Sequence, residues 1–148
     1  MVTLIGMGSG KWEALSAQAQ QAVRSAGLVF GAKRLLAGLP ADCTARQFAL
    51  YQPADILETL AQNSGQDAAV LYSGDTGFYS GASGLLTPLR ALGIPARVYP
   101  GVSSIQLLSA ALGRPWQDWK LVSAHGCACD PVAECMMNRS VFFLTGGT

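Results

Sequence analysis

Short apolar runs alternate with segments of helical periodicity along most of this chain, and that alternation strongly limits the fold. Buried strands are predicted by the apolar runs Val2–Ile5, Leu28–Phe30, Ala68–Tyr72 and Ala96–Tyr99, and more weakly by Gln47–Tyr51. Helices are predicted over 11–26, 32–38, from Pro53 onward, 85–92 and 103–112. Strands separated by helices indicate an α/β fold with a mainly parallel sheet flanked by helices.

The segment after Pro115 departs from this alternation. Lys120–Ala124 and Val141–Thr145 are strand candidates on either side of a short, polar, cysteine-rich piece. Two strands do not form a stable domain alone. We therefore expect an N-terminal α/β domain over residues 1–115 and the truncated beginning of a second α/β domain over residues 116–148.

Composition argues against several classes of function. The 148 residues are half apolar, 13% are charged, and the net charge is +1, so neither disorder nor a nucleic-acid surface is expected. No apolar run approaches the roughly 20 residues that cross a bilayer. The amino terminus enters a strand without the basic segment of a signal peptide. We expect a cytoplasmic protein with no membrane partner.

A glycine-rich loop follows the strand Ala68–Tyr72, with glycines at 74, 77 and 81 around Asp75. Glycine leaves backbone groups open to a ligand at this edge of a parallel sheet, and Asp75 adds a charged acceptor. The alternative is an ordinary surface turn. Pro100–Ser104 repeats the arrangement, with hydroxyls at a helix start. Two such loops predict a shared ligand crevice.

The first glycine loop, Gly6–Lys11, fits neither common nucleotide motif. A P-loop needs glycine at Ile5 and a hydroxyl at Trp12, and a dinucleotide fingerprint needs a third glycine at Lys11. Lys33-Arg34 after the second strand leaves NADP binding open as an alternative. A tight strand-to-helix turn and a substrate loop are equally compatible with this segment.

Four potential soft metal ligands lie close together near the C-terminus: His125, Cys127, Cys129 and Cys135. Their spacing is not a common paired zinc pattern, so a cysteine-rich surface loop without metal is favoured. His125 also ends a predicted strand beside Gly126, where a functional role competes with a structural or merely exposed one.

Five segments, taken in order, resemble the tetrapyrrole methylase family: Val2–Gly8, Gly31–Leu36, Ser73–Tyr79, Pro100–Gln106 and Ser123–Gly126. The resemblance implies a two-domain, homodimeric α/β enzyme that uses S-adenosylmethionine to methylate C5 of a precorrin or cobalt-precorrin in cobalamin biosynthesis. Two positions depart from the family pattern, because Thr76 stands in place of proline and Cys127 in place of a basic residue. Methylation of another macrocycle carbon or of RNA, and an NADP-binding oxidoreductase domain, are the alternatives.

The resemblance also implies roles for individual residues. No catalytic side chain and no metal ligand is implied, and a fused or separate C15-methyltransferase/decarboxylase is an implied partner. The implied S-adenosylmethionine contacts are Gly74, Asp75, Phe78, Ser103, Ser104, His125, Leu144 and Thr145. The implied tetrapyrrole contacts are Gly6, Gly8, Lys33 and Arg34.

Overall fold

A computed structural model describes residues 1–146 and divides the chain into two compact units, Met1–Ser103 and Ser104–Thr148. This division falls before the helix that the sequence analysis assigned to the first domain. The boundary near residue 115, and the second domain itself, stay predictions. No helix within residues 1–146 is both long enough and apolar enough to cross a membrane.

The first unit is a five-stranded, fully parallel sheet, which confirms the predicted fold class. Its strands, in spatial order β3-β2-β4-β1-β5, are β1 Val2–Gly6, β2 Leu28–Phe30, β3 Arg46–Phe48, β4 Ala68–Tyr72 and β5 Ala96–Tyr99. Its helices are α1 Ala17–Ser25, α2 Lys33–Leu36, α3 Pro53–Gln62 and α4 Ala82–Ala91.

Alternate residues of each central strand enter two different apolar layers, as the twofold period of a strand requires. On one face Ile5 and Leu71 pack with α1 and α2, which contribute Val23 and Leu35. On the other face the layer includes the strand residues Leu4, Phe30 and Val70 and the helix residues Ile56, Leu85 and Leu89. Both faces of the central strands are therefore covered, which explains their continuous apolar sequences.

The strand order creates a topological switch between β1 and β4. The chain leaves β1 through α1 toward β2, and it leaves β4 through α4 toward β5, with these helices on opposite faces of the sheet. Adjacent strands whose connections run to opposite faces of the sheet leave a crevice at their carboxyl ends, where ligands of open α/β sheets bind.

Four predicted elements differ from the structure by more than one residue at an end, and one of them is α4, which begins at Ala82 rather than at Leu85. The helix expected over 11–26 is a 3-10 turn at Trp12–Ala14 followed by α1, because the Ser16 side chain accepts a hydrogen bond from the Ala19 N–H at 3.2 Å and starts the helix there. Helix α2 covers only four of the residues expected over 32–38. The third strand is Arg46–Phe48 rather than Gln47–Tyr51.

The second unit contains α5 Ser104–Leu112, β6 Lys120–Ala124, α6 Pro131–Met137 and β7 Val141–Thr145. Strands β6 and β7 pair in parallel, with Ala124 opposite Thr145. The sequence analysis missed α6. Its signal was Asp130-Pro131, because the Asp130 carboxylate accepts from the N–H groups of Val132 and Ala133 and proline suits the first helical position.

Candidate functional site

Three glycines pack backbone against backbone where β1, β4 and β5 end. A Cβ added to Gly101 would lie 2.1 Å from the Gly74 carbonyl oxygen and 2.6 Å from the Gly6 carbonyl group. A Cβ on Gly6 would lie 2.6 Å from the Gly101 nitrogen. Such distances exclude any side chain at Gly6 or Gly101, so these glycines are required first of all for packing of the strand ends.

The loops that leave β1 and β4 are tied to each other directly. The Gly8 N–H donates to the Gly74 carbonyl at 3.0 Å, and the Gly74 N–H donates to the Gly8 carbonyl at 2.9 Å. Both glycines have positive φ, 56° and 64° respectively, which a residue with a side chain adopts at a cost. The Gly74 N–H is therefore not open to a ligand, contrary to the expectation for this loop.

Asp75 joins the ends of β4 and β5. One carboxylate oxygen accepts from the Gly101 N–H and the other from the Gly77 N–H, each at 3.0 Å. The Thr76 hydroxyl adds a 3.5 Å bond to the Tyr99 carbonyl. Asp75 is thus a turn residue and also a negative charge held in place at the switch point.

The structure brings several predicted cofactor residues of the first unit together. A Cβ on Gly74 would lie 3.8 Å from the Ser103 Cα, and Ser103 is buried. Phe78 lies in the Asp75 loop, where its ring meets that of Tyr79 edge-on. Ser104 is exposed at the first position of α5, in the second unit. The roles of these residues in cofactor binding stay predictions.

Arg34 reaches from α2 to the end of β4, where its Nη2 donates to the Ser73 hydroxyl. Its Nη1 lies 3.5 Å from the position that a Cβ on Gly10 would take, so the guanidinium borders the first glycine loop. The sequence analysis named Arg34 but missed Ser73. Ser73 gave no separate signal, because its contact exists only when β2 and β4 are neighbours.

The carboxyl edge of this sheet carries more cations than acids. Lys11 lies in the loop after β1, and exposed Lys33 and Arg34 begin α2. None of the three forms an ion pair within residues 1–146. In the loops that follow the five strands Asp75 is the only acid, although Glu13 lies in the 3-10 turn beyond Lys11. This edge therefore suits a ligand with several carboxylates.

Tyr72 ends β4 beneath this edge. Burial raises the pKa of its phenol to about 12, because a phenolate would be poorly solvated there. Tyr72 therefore stays neutral at physiological pH.

The second unit places its predicted residues at the carboxyl ends of β6 and β7. His125 follows β6, and its ring packs on the backbone of Gly146, since a Cβ added to that glycine would lie 2.9 Å from Nδ1. Leu144 and Thr145 end β7. All four cysteines are free thiols, and no group of three or more histidine, cysteine or acidic residues is arranged to hold a metal ion in the described part of the chain.

A groove of about 460 Å³ lies away from these loops, between α1 and strands β1 and β5. Its lining includes Gln18, Gln21, Arg97 and Tyr99. None of the predicted site residues lines it, so its size does not make it the functional site. The chemistry-bearing loops lie instead at the carboxyl ends of the strands.

The parallel sheet and its β1/β4 switch point define a doubly wound α/β protein, and its polar carboxyl edge is the candidate ligand site. A family model for tetrapyrrole (corrin/porphyrin) methylases matches residues 1–146. The chain belongs to this family of methyltransferases.

Two curated relatives and one solved structure document the similarity. The chain is 33% identical over 147 residues to the cobalt-precorrin-7 C(5)-methyltransferase of Salmonella typhimurium, covering 98% of this chain and 71% of that protein. It is 31% identical over 132 residues to the probable cobalt-precorrin-7 C(5)-methyltransferase of Methanocaldococcus jannaschii, covering 85% and 61%. The crystal structure of the methyltransferase CobJ superposes with a TM-score of 0.73 at 22% identity, covering 92% of this chain and 61% of that one, which shows the shared fold.

Proposed function

We propose that the protein transfers a methyl group from S-adenosylmethionine to C5 of a precorrin or cobalt-precorrin in cobalamin biosynthesis. The similarity to the Salmonella C(5)-methyltransferase, which extends over 98% of this chain, carries the proposal. Family membership favours this reading over an NADP-dependent oxidoreductase, because the matched family consists of methylases.

The Asp75 loop suits the cationic methyl donor. S-adenosylmethionine supplies a methyl group on a sulfonium, whose C–S bond breaks as the new C–C bond forms. Two backbone N–H groups hold the Asp75 carboxylate, and its remaining lone pairs can accept from an ammonium or a ribose hydroxyl. Gly74 and Ser103 lie beside it. From the second unit, Ser104, His125, Leu144 and Thr145 remain proposed cofactor contacts.

The cationic edge suits a substrate with several carboxylate side chains. Within residues 1–146 the Arg34 side chain donates to the neutral Ser73 hydroxyl and forms no ion pair, so its planar fork can bind a carboxylate in a bidentate way. Lys33 adds a second exposed positive charge at the start of α2. Gly8 shapes the loop that Arg34 borders, whereas buried Gly6 contributes mainly through packing.

The reaction asks the protein for alignment and charge stabilisation, not for an activated side-chain nucleophile. The electron-rich macrocycle carbon attacks directly, so positioning by rigid loops can supply most of the rate. Loops fixed by backbone contacts, as at Gly6, Gly74 and Gly101, are suited to that task. A homodimer, and cooperation with a fused or separate C15-methylating and decarboxylating enzyme, are part of the proposal.

Isotope transfer tests the reaction. The purified protein is incubated with donor labelled in its methyl carbon and with cobalt-precorrin-7 or precorrin-6Y, and carbon NMR of the product locates the label. We expect label at C5. Label at another macrocycle carbon would refute the assignment to C5, and NADP binding without any affinity for S-adenosylmethionine would refute the methylase proposal.

Removing the Arg34 charge tests the substrate edge. We expect Arg34→Ala to raise KM for the tetrapyrrole by about 10- to 100-fold, since a charged hydrogen bond contributes about 1.5–3 kcal/mol. The dissociation constant of S-adenosylmethionine should not change. Arg46→Ala is the matched control, because Arg46 begins β3 and donates to Asn63 at the end of α3, away from this edge. Equal KM values for the two variants would contradict the role of Arg34.

A further inference from the structure

Tyr79 is poorly suited to both its backbone conformation and its surroundings. Its φ is +47°, the only positive φ of a non-glycine residue in the described part of the chain. A bulky aromatic side chain is strained there, and glycine would fit without steric strain. The residue is also 53% exposed, so burial does not compensate for the strain.

The loop around Tyr79 is held firmly enough to maintain that conformation. Asp75 binds the N–H groups of Gly77 and Gly101, as described above. On the other side of Tyr79, the Ser80 hydroxyl accepts from the Ala82 N–H at 3.2 Å, at the start of α4. Strain of this kind persists where the neighbouring structure enforces it, and such positions cluster at functional sites.

The neighbouring ring of Phe78 supports Tyr79 from one side. The two ring centroids are 4.9 Å apart and the planes meet at 73°, an edge-to-face contact. This contact limits the motion of the Tyr79 ring while more than half of the side chain stays open to solvent. The ring also lies in the loop that leaves β4 at the switch point, where a ligand of this fold binds.

We propose that Tyr79 is a stacking residue that contacts a flat, conjugated ring of the ligand bound at this edge. The inference rests on the proposed function, which offers two such rings: the adenine of the methyl donor and the tetrapyrrole macrocycle. Stacking explains why an aromatic residue occupies a position that glycine would fill at lower conformational cost.

Binding and stability of Tyr79→Gly test the proposal together. Relief of the strained φ is offset by the greater freedom of glycine in the unfolded chain and by loss of the Phe78 contact, so the unfolding midpoint should stay within about 4 °C of the wild type. Loss of the ring should weaken binding of one flat ligand by between about twofold and tenfold. Tyr79→Phe should retain wild-type affinity. Tyr51→Ala removes another exposed tyrosine, 67% accessible, and should leave affinity unchanged.

Titrations with S-adenosylmethionine and with uroporphyrin, a flat polycarboxylate, identify the ring. If Tyr79→Gly weakens binding of S-adenosylmethionine alone, Tyr79 contacts the adenine. If it weakens binding of uroporphyrin alone, Tyr79 contacts the macrocycle. Ring-current shifts of the Tyr79 proton resonances on addition of that ligand provide a direct check. If Tyr79→Gly folds as the wild type does yet binds both probes with wild-type affinity, the inference is overturned. If the wild type binds neither probe, the proposed function fails with it.

Discussion

Replacing Gly101 with alanine tests whether the strand ends are held by backbone-to-backbone packing. The added Cβ would lie 2.1 Å from the Gly74 carbonyl oxygen and 2.6 Å from the Gly6 carbonyl group, and none of these backbone atoms can move as a side chain could. Forced repacking costs about 1–3 kcal/mol. Displacing the Gly101 N–H from the Asp75 carboxylate adds about 1.5–3 kcal/mol. We expect a loss of about 3–5 kcal/mol in the free energy of unfolding.

That loss is a large part of the roughly 5–15 kcal/mol that stabilises an ordinary domain. Urea denaturation followed by far-ultraviolet circular dichroism measures it. Gly84→Ala is the matched control, since its Cβ would meet only the Pro53 side chain at 3.6 Å and alanine favours the helix by about 0.5–1 kcal/mol. If Gly101→Ala unfolds within about 1 kcal/mol of the wild type, the packing argument is refuted.

Two further predictions concern side chains near the same edge. We expect Asp75→Asn to lower the free energy of unfolding by about 1–3 kcal/mol, because an amide offers one acceptor oxygen to two backbone N–H donors. Urea denaturation measures this loss, with the exposed Asp118→Asn as the control. Equal stability of the two variants would contradict the stabilising role of the two hydrogen bonds to Asp75. Tyr72, whose pKa is raised from 10.0 to about 12, should lose stability as pH rises from about 10 to 12, since the unfolded chain releases the phenol proton first. The loss in the free energy of unfolding is at most about 2 kcal/mol after allowance for partial exposure. In Tyr72→Phe the free energy of unfolding should depend less on pH between about 10 and 12. The same pH dependence in this variant and the wild type would refute the role of Tyr72.

Local sequence patterns predicted much of the first unit. Continuous apolar runs indicated β1, β2, β4 and β5, and all four strands form within a residue of the predicted bounds. Proline at the start of α3 and helical spacing through Ile56 indicated that helix. These patterns succeed because a strand buried on both faces has a continuous apolar sequence, and a helix buried on one face has an apolar residue every three or four positions.

Element ends and short polar helices were predicted less well. Ser16 starts α1 by capping it, although the apolar spacing continues back to Trp12. Helix α6 has only seven residues, too few to establish a helical period, and it buries none of its side chains, so Asp130-Pro131 was its main signal. Capping bonds, unlike periodicity, depend on one or two residues and are easily overlooked.

The sequence by itself determined which residues could build the site: glycines at the strand ends, Asp75 after a buried strand, and Lys33-Arg34 after another. Only the tertiary structure decided how they are used. Placing β4 between β1 and β2 brings Arg34 to Ser73, and packing β1 against β4 and β5 joins Gly6, Gly74 and Gly101. Strand order arises from long-range packing. No local sequence pattern therefore shows that these glycines are needed first for close backbone contact between the strand ends.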